Sequence, residues 1–223
     1  MEIKYLGHSS FLIKSKDVFA SRDEARLVTD PFNQDFTGLH FPKTEADIIT
    51  ISHNHKDHNA VKEVDGTPLV IDMPGEFEKK GIRIFGYQSY HDDKKGAERG
   101  ENIIYKIESE GISVLHCGDL GFVPDDNFIE SLGDVNVLIV PIGGTHTINS
   151  DQAITLIRKI EPTYVIPMHF ASAKHNEEFK KNLETVDEFI KKMGVESVDL
   201  IPKLSIKKED LITVQMKVVL LEA

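Results

Sequence analysis

Six consecutive residues, His53-Asn54-His55-Lys56-Asp57-His58, follow directly on the apolar run Ala46 to Ser52 and set four potential metal ligands where a strand would hand over to a loop. In an extended segment positions i and i+2 face the same way, so His53 and His55 can grip one cation. If the chain then turns into a helix, Asp57 and His58 aim at a second point close by, and the spacing suits two metals. Four such groups packed without a cation would repel one another or stay half-solvated, and Lys56 between them must point outward. Further ligands must come from elsewhere, because a structural site closes its shell while a catalytic one leaves a position for water.

Three candidates stand where β-rich runs meet loops, the usual building place of sites on layered α/β folds. His91 closes the run Gly81 to Tyr90, Asp119 follows the run Gly111 to His116, and His169 follows Tyr164 to Met168. His116 lies nearer to Asp119 in the chain. Along a regular strand, however, His116 falls with Ile112 and Val114 while Asp119 falls with Ser113, Leu115 and Cys117, so the two should diverge. His91 instead leaves its strand into the polar loop Asp92 to Gly96, expected to be flexible, where an imidazole can reach a metal without drawing a charged neighbour into the core.

Apolar runs punctuated by turn residues organise the rest. Ile3 to Leu6, Phe11 to Lys14, Leu27 to Thr29, Ala46 to Ser52, Pro68 to Asp72, Gly81 to Tyr90, Asn102 to Glu108 and Gly111 to His116 read as strands. Val135 to Pro141 and Tyr164 to Pro167 are near-continuous apolar runs of the kind buried on both faces, with a helix over Gln152 to Ile160 between them. Phe179, Leu183, Val186, Phe189, Ile190 and Met193 recur at helical spacing and predict one helix over Glu177 to Met193, stopped by Gly194; Lys217 to Leu221 reads as a last strand. No linker, repeat or low-complexity segment interrupts the 223 residues, which implies one domain over residues 1 to 223, with strands between helical layers.

Charge and composition narrow the function classes. Lys and Arg total 26 against 37 Asp and Glu, and the formal net charge of -11 disfavours nucleic acid and anionic membranes as partners. No apolar run approaches the roughly 18 to 20 residues of a bilayer span, and Met1-Glu2-Ile3-Lys4 lacks the apolar core of a signal peptide, so a cytoplasmic protein is expected. The single cysteine, Cys117, rules out an internal disulfide and a cysteine-only metal site, and reads as a buried, inert thiol. His40 and His175 lie in polar loops and read as solvated.

His53-x-His55-x-Asp57-His58 with His91, Gly118-Asp119 and Met168-His169 resembles the ligand set of the metallo-β-lactamase superfamily. Gly7-His8-Ser9-Ser10-Phe11, Thr29-Asp30-Pro31-Phe32, Pro74-Gly75-Glu76-Phe77, His116-Cys117-Gly118-Asp119-Leu120-Gly121, Pro141-Ile142-Gly143-Gly144-Thr145 and Ile166-Pro167-Met168-His169-Phe170 are similar to its branch of small metal-dependent hydrolases that includes ascorbate-phosphate lactonase-like proteins. The last 50 or so residues match only loosely.

That resemblance implies an α/β fold, a four-layer αβ/βα sandwich with the metals at one edge. It implies that His53, His55 and His91 hold one metal, that Asp57, His58 and His169 hold the other, and that Asp119 bridges them. The cofactors implied are two divalent cations, zinc first, with manganese, nickel, cobalt or iron also compatible with such ligands. Two such cations, two carboxylates and a bridging hydroxide leave a net charge of about plus one, which attracts a small anionic substrate, and bound water is acidified from about 15.7 to about 7. Asp57 is the expected catalytic residue, orienting that hydroxide and accepting its proton.

The implied activity is cytoplasmic hydrolysis of a phosphodiester or a phosphorylated lactone or ester. A mononuclear iron oxygenase of the persulfide dioxygenase type and a degenerate metal-binding scaffold are the alternatives. Asp119 stands where the broad-spectrum zinc β-lactamases have cysteine, which argues against antibiotic hydrolysis. His8 is read as support for a ligand or as packing, Asp30 as a turn or as the partner of a ligand imidazole, and His146 as a substrate contact or a polar loop residue. Self-association is left open.

Overall fold

The computed structural model describes residues 1–16, 24–196, 198, 200–212 and 215–223. Ile112–His116, Val137–Pro141 and Tyr164–Met168 are buried at every position, as apolar runs without polar alternation require. They pair in parallel at the centre of a seven-stranded sheet, flanked by Lys217–Val218 on one side and by the antiparallel strands Glu101–Ser109, Ile82–Tyr90 and Gly75–Lys79 on the other. A six-stranded sheet runs in the order Leu204–Ser205, Glu2–Gly7, Ser10–Lys16, Glu24–Thr29, Ile48–Thr50, Leu69–Ile71, antiparallel over its first four strands and parallel over its last three.

Period-two patterning sorts the first sheet's side chains. Leu27 pairs with Ile48, and both enter a core shared with Ile82, Ile84, Ile107 and Val114 of the second sheet. Their neighbours Val28 and Ile49 point the other way, into a second cluster with Phe32, Leu39 and Phe41. Ala153, Leu156 and Ile157 of the helix Ser150–Ile160, together with Phe189 of the helix Val186–Met193, extend the shared core outward from the second sheet. The α/β sandwich expected from the sequence is therefore present, but its two outer layers are unequal. Over the first sheet lies an irregular segment with the four-residue helix Gln34–Thr37.

Several elements depart from the sequence expectation. The predicted helix over residues 177–193 is two helices, Glu177–Lys180 and Val186–Met193. Thr185 caps the second one and forms a reciprocal capping box with Glu188, a local signal that competes with the long apolar stripe, while Gly194 ends it at φ 70° as expected. The last strand divides into Lys217–Val218 and Leu220–Leu221, which pair with different partners. The edge strand Gly75–Lys79 and the helix Asp126–Leu132 were not foreseen. No helix among the described residues is long and apolar enough to cross a membrane.

Removing the Thr185 cap should loosen the second helix. Thr185→Ala is expected to cost about 1 kcal/mol and to lower the midpoint of thermal unfolding by about 2 to 4 °C, read by calorimetry.

Candidate metal centre

Six strands deliver the site, each at its C-terminal end. His8 follows Glu2–Gly7, Asp30 follows Glu24–Thr29, and residues 53–58 follow Ile48–Thr50; His91, Asp119 and His169 follow Ile82–Tyr90, Ile112–His116 and Tyr164–Met168. Three of these residues hold left-handed backbone, His8 at φ 54°, Asp30 at 38° and His169 at 52°. Each such residue costs on the order of 1 kcal/mol and persists only where its surroundings fix it. Here the His169 N–H donates to the His8 carbonyl at 3.0 Å, and the Asp30 N–H donates to the Thr50 carbonyl at 2.9 Å.

Ligand atoms gather in three overlapping groups: His53, His55 and His91; His8, Asp57, His58 and His169; and His53, His58 and Asp119. Asp119 is the hub. Its Oδ2 lies 3.1 Å from His169 Nε2, 3.2 Å from His91 Nε2, 3.3 Å from His58 Nε2 and 3.9 Å from His53 Nε2. Asp57 Oδ2 lies 3.3 Å from His8 Nε2 and 3.6 Å from His58 Nε2. All seven sequence-predicted ligands thus converge, and His8 joins the group around Asp57. Of the eight, His55 alone is exposed. Residues 53–58 form bends and turns rather than the helix start considered from sequence, with the His58 N–H donating to the His55 carbonyl at 3.0 Å.

The buried carboxylate of Asp30 orders the imidazoles from behind. It accepts from the Ser52 N–H at 2.7 Å, from Ser52 Oγ at 2.6 Å and from His58 Nδ1 at 2.9 Å. Because the Ser52 hydroxyl donates to Asp30, it accepts from His53 Nδ1 at 2.9 Å. Both rings carry a proton on Nδ1 and turn Nε2 toward the cluster. Ser52, next to His53 in the chain, and Asn102, whose side-chain oxygen accepts from the Asp119 N–H at 3.0 Å, were not singled out from sequence.

Burial and facing charges together set the charge states. Burial and the nearby His58 hold His53 down at about 3, burial and His169 hold His8 down at about 4, and burial and His91 lower His55. Burial would push Asp119 and Asp57 up, but the facing imidazoles outweigh it and keep both carboxyls below their usual range. Conversely, burial would push His58 down, and Asp119, Asp57 and Asp30 together hold it well above an ordinary imidazole. Ionised carboxylates and neutral imidazoles are the forms that bind cations, so His58 would release its Nε2 proton when one binds.

His116 stays out of the cluster. Its Nε2 donates to the Ser9 carbonyl at 2.9 Å and its Nδ1 accepts from the Gly118 N–H at 3.3 Å. The separation from Asp119 is as expected, but strand parity is not its cause: the strand ends at His116, and Gly118 at φ 55° redirects the chain. A side chain at Gly118 would meet Asn102 and Ser52 at 2.4 and 2.5 Å, so the approach requires glycine. The loop after His91 is also unlike its expectation. Asp92 is buried beside His91, and its carboxylate accepts from the N–H groups of Lys94, Gly96, Glu98 and Arg99 at 2.7 to 3.0 Å, so a charged neighbour does enter and organises the loop.

His175 is buried, against the expectation of a solvated residue, because it packs edge-on against His8 and accepts from the Ser172 N–H at 3.1 Å. His40 is exposed as expected. Cys117 is buried, and burial pushes its thiol up, leaving it protonated. His146 lines a cavity of about 820 Å3 together with Phe36, His55, Asp57, Arg99, Asp119 and Phe179.

A family model described as a beta-lactamase superfamily domain matches residues 2–169, from the first strand to the last candidate ligand. A crystal structure from Thermotoga maritima, of a protein proposed to be a zinc-dependent hydrolase of the metallo-β-lactamase superfamily, is 32% identical and superposes with a TM-score of 0.76 over 99% of this chain and 98% of that one. The chain belongs to the metallo-β-lactamase superfamily. Proteins named metal-dependent hydrolase in Thermococcus onnurineus and Methanosarcina barkeri are each 27% identical, over 81% and 90% of this chain and 91% and 99% of theirs. A metallo hydrolase from Ignicoccus hospitalis, 20% identical with a TM-score of 0.67 over 99% of this chain and 94% of that one, shares the superfamily fold.

The donor set fits the divalent cations that the superfamily implies. His53 Nε2, His58 Nε2, Asp119 Oδ1 and both nitrogens of His8 are buried without a hydrogen-bond partner, and an unpaired buried polar atom costs about 1 to 3 kcal/mol. Cations between the two groups would engage several of these atoms at once.

Two substitutions separate ligand from scaffold. His91→Ala should lose bound metal in elemental analysis, whereas His116→Ala should retain it and lose about 1 to 3 kcal/mol of stability. Asp30→Ala, which frees both His53 and His58 to turn, should weaken metal affinity by about 10- to 100-fold in a chelator competition.

Proposed function

We propose that the protein is a metal-dependent hydrolase with a two-cation centre acting on a small anionic substrate, a phosphodiester or a phosphorylated lactone or ester. The observation that carries this reading is the position of Asp119 Oδ2, within 3.1 to 3.9 Å of imidazoles from both ligand groups. His53, His55 and His91 would hold one cation, Asp57, His58 and His169 the other, and Asp119 both. Bound there, divalent cations, zinc first among them, supply an acidified water and Lewis acidity toward the scissile group's oxygen. Asp57, ionised and facing His8 and His58, orients the attacking water and accepts its proton at Oδ2. Asp30 and Ser52 keep the His53 and His58 rings from turning. The aromatic and cationic lining of the cavity, Phe36, Phe179, Lys56 and Arg99, suits a compact anion with an apolar part. A complete second group around Asp57 favours two cations over the single iron of an oxygenase.

Protein purified without chelator is expected to hold up to two divalent cations per chain. It should hydrolyse bis(4-nitrophenyl) phosphate and leave a cephalosporin intact. Asp57→Ala should lower turnover of the diester by at least about 100-fold. One equivalent of iron with oxygen uptake on a thiol substrate, or undiminished turnover by that variant, would overturn the reading.

A further inference from the structure

Beside the cluster stands a cation that takes no part in holding metal or moving a proton. Arg99 is exposed, and its guanidinium donates from Nη1 to His146 Nδ1 and from Nη2 to the Thr145 carbonyl at 3.2 Å. No carboxylate pairs with it among the described residues, although the protein has 37 acidic residues and a formal charge of -11. An arginine fork with spare N–H groups and no counter-ion is a ready partner for a carboxylate or phosphate.

Its position is built rather than incidental. The Arg99 backbone N–H is one of the four donors to Asp92, the residue after His91, so the loop that places a candidate ligand also places the guanidinium. On the facing loop Thr145, a β-branched residue, is held at φ 53°, a conformation that costs energy and directs its carbonyl to Arg99. His146 Nδ1 accepts from Arg99, so the ring carries its proton on Nε2, a second donor beside the fork.

The cavity has an aromatic wall and a separate cationic corner. Phe36 and Phe179 line it together with Asp35, Glu178 and Lys56, while Arg99 and His146 line it from two other loops. An apolar body is favoured against the aromatic wall, and an anionic end is attracted to the guanidinium, which the His146 ring and the Thr145 carbonyl hold in place.

We propose that Arg99, oriented by His146 and Thr145, is the subsite for a terminal oxyanion of the substrate, a carboxylate or phosphate separate from the scissile bond. The inference rests on the hydrolase reading for the location of the scissile bond, and makes the substrate an amphiphile with two polar ends. Arg99 acts in binding and specificity and takes no part in bond breaking.

The test compares two diesters with the same scissile bond, butyl 4-nitrophenyl phosphate and 4-carboxybutyl 4-nitrophenyl phosphate. The wild-type protein should prefer the carboxylate in kcat/KM by about ten-fold or more. Arg99→Ala should bring the ratio of the two close to one, mainly through KM, and Arg99→Lys should restore part of it. Binding is read separately in the full chain as purified: the Arg99 side-chain Nε–H resonance, assigned by its absence in Arg99→Lys, should shift saturably with glutarate if carboxylates are recognised and with inorganic phosphate if phosphates are. A ratio unchanged in Arg99→Ala, or a resonance unmoved by both anions, overturns the subsite. If neither diester is turned over, the hydrolase reading fails and the resonance decides the subsite alone.

Discussion

The carboxylate of Asp30 is the interaction on which the rest of the centre depends. It is fully buried, it sits on left-handed backbone, and it accepts three hydrogen bonds of 2.6 to 2.9 Å. Two come from Ser52, just past the end of the neighbouring strand, and one comes from His58. Burying an isolated carboxylate would be severely unfavourable, so its location makes sense only with all three donors present. Through Ser52 Oγ the same charge also reaches His53. One residue therefore sets the ring orientation in both ligand groups and ties together the strand ends that carry them.

Backbone proximity completes what Asp30 begins. A methyl group at Gly121 would lie 2.3 Å from the His91 carbonyl carbon and from the Asp92 nitrogen, and one at Gly143 would lie 2.1 Å from the His169 carbonyl oxygen. The loops bearing His91 and His169 are pressed against neighbouring loops at distances only glycine allows. The cluster is accordingly held from behind by packed backbone, while the cavity in front is lined by side chains.

Much of this was legible in the residues. His53, His55, Asp57 and His58 advertise themselves because all lie in one short string, and His91, Asp119 and His169 because each stands at the end of an apolar run. What escaped reading depends on tertiary packing. His175 looks solvated in Ser172-Ala173-Lys174-His175-Asn176, and its burial follows from His8 and Phe179 folding over it. Asp92 looks like part of a mobile polar loop, yet four backbone donors wrap around it. The parity argument for His116 reached the right separation by the wrong route, since a glycine one residue before Asp119 ends regular alternation. The division of the helix at Thr185 was legible in Thr185-Val186-Asp187-Glu188 but was outweighed by the longer apolar stripe.

The hydrogen bond from His169 to the His8 carbonyl has a consequence for the birth of the molecule. It closes the cluster across 161 residues, joining the turn after the first strand to the end of a central strand of the other sheet. On a ribosome, the string at 53–58 emerges long before Asp119 and His169 exist to complete it. For that interval its imidazoles and carboxylate stand on a half-made sheet whose apolar inner face has nothing to cover it. Pairings of such long range form late and slowly. The donor set is thus among the last features of the fold to assemble, and a cation held by the nascent chain would have only a fraction of its eventual partners.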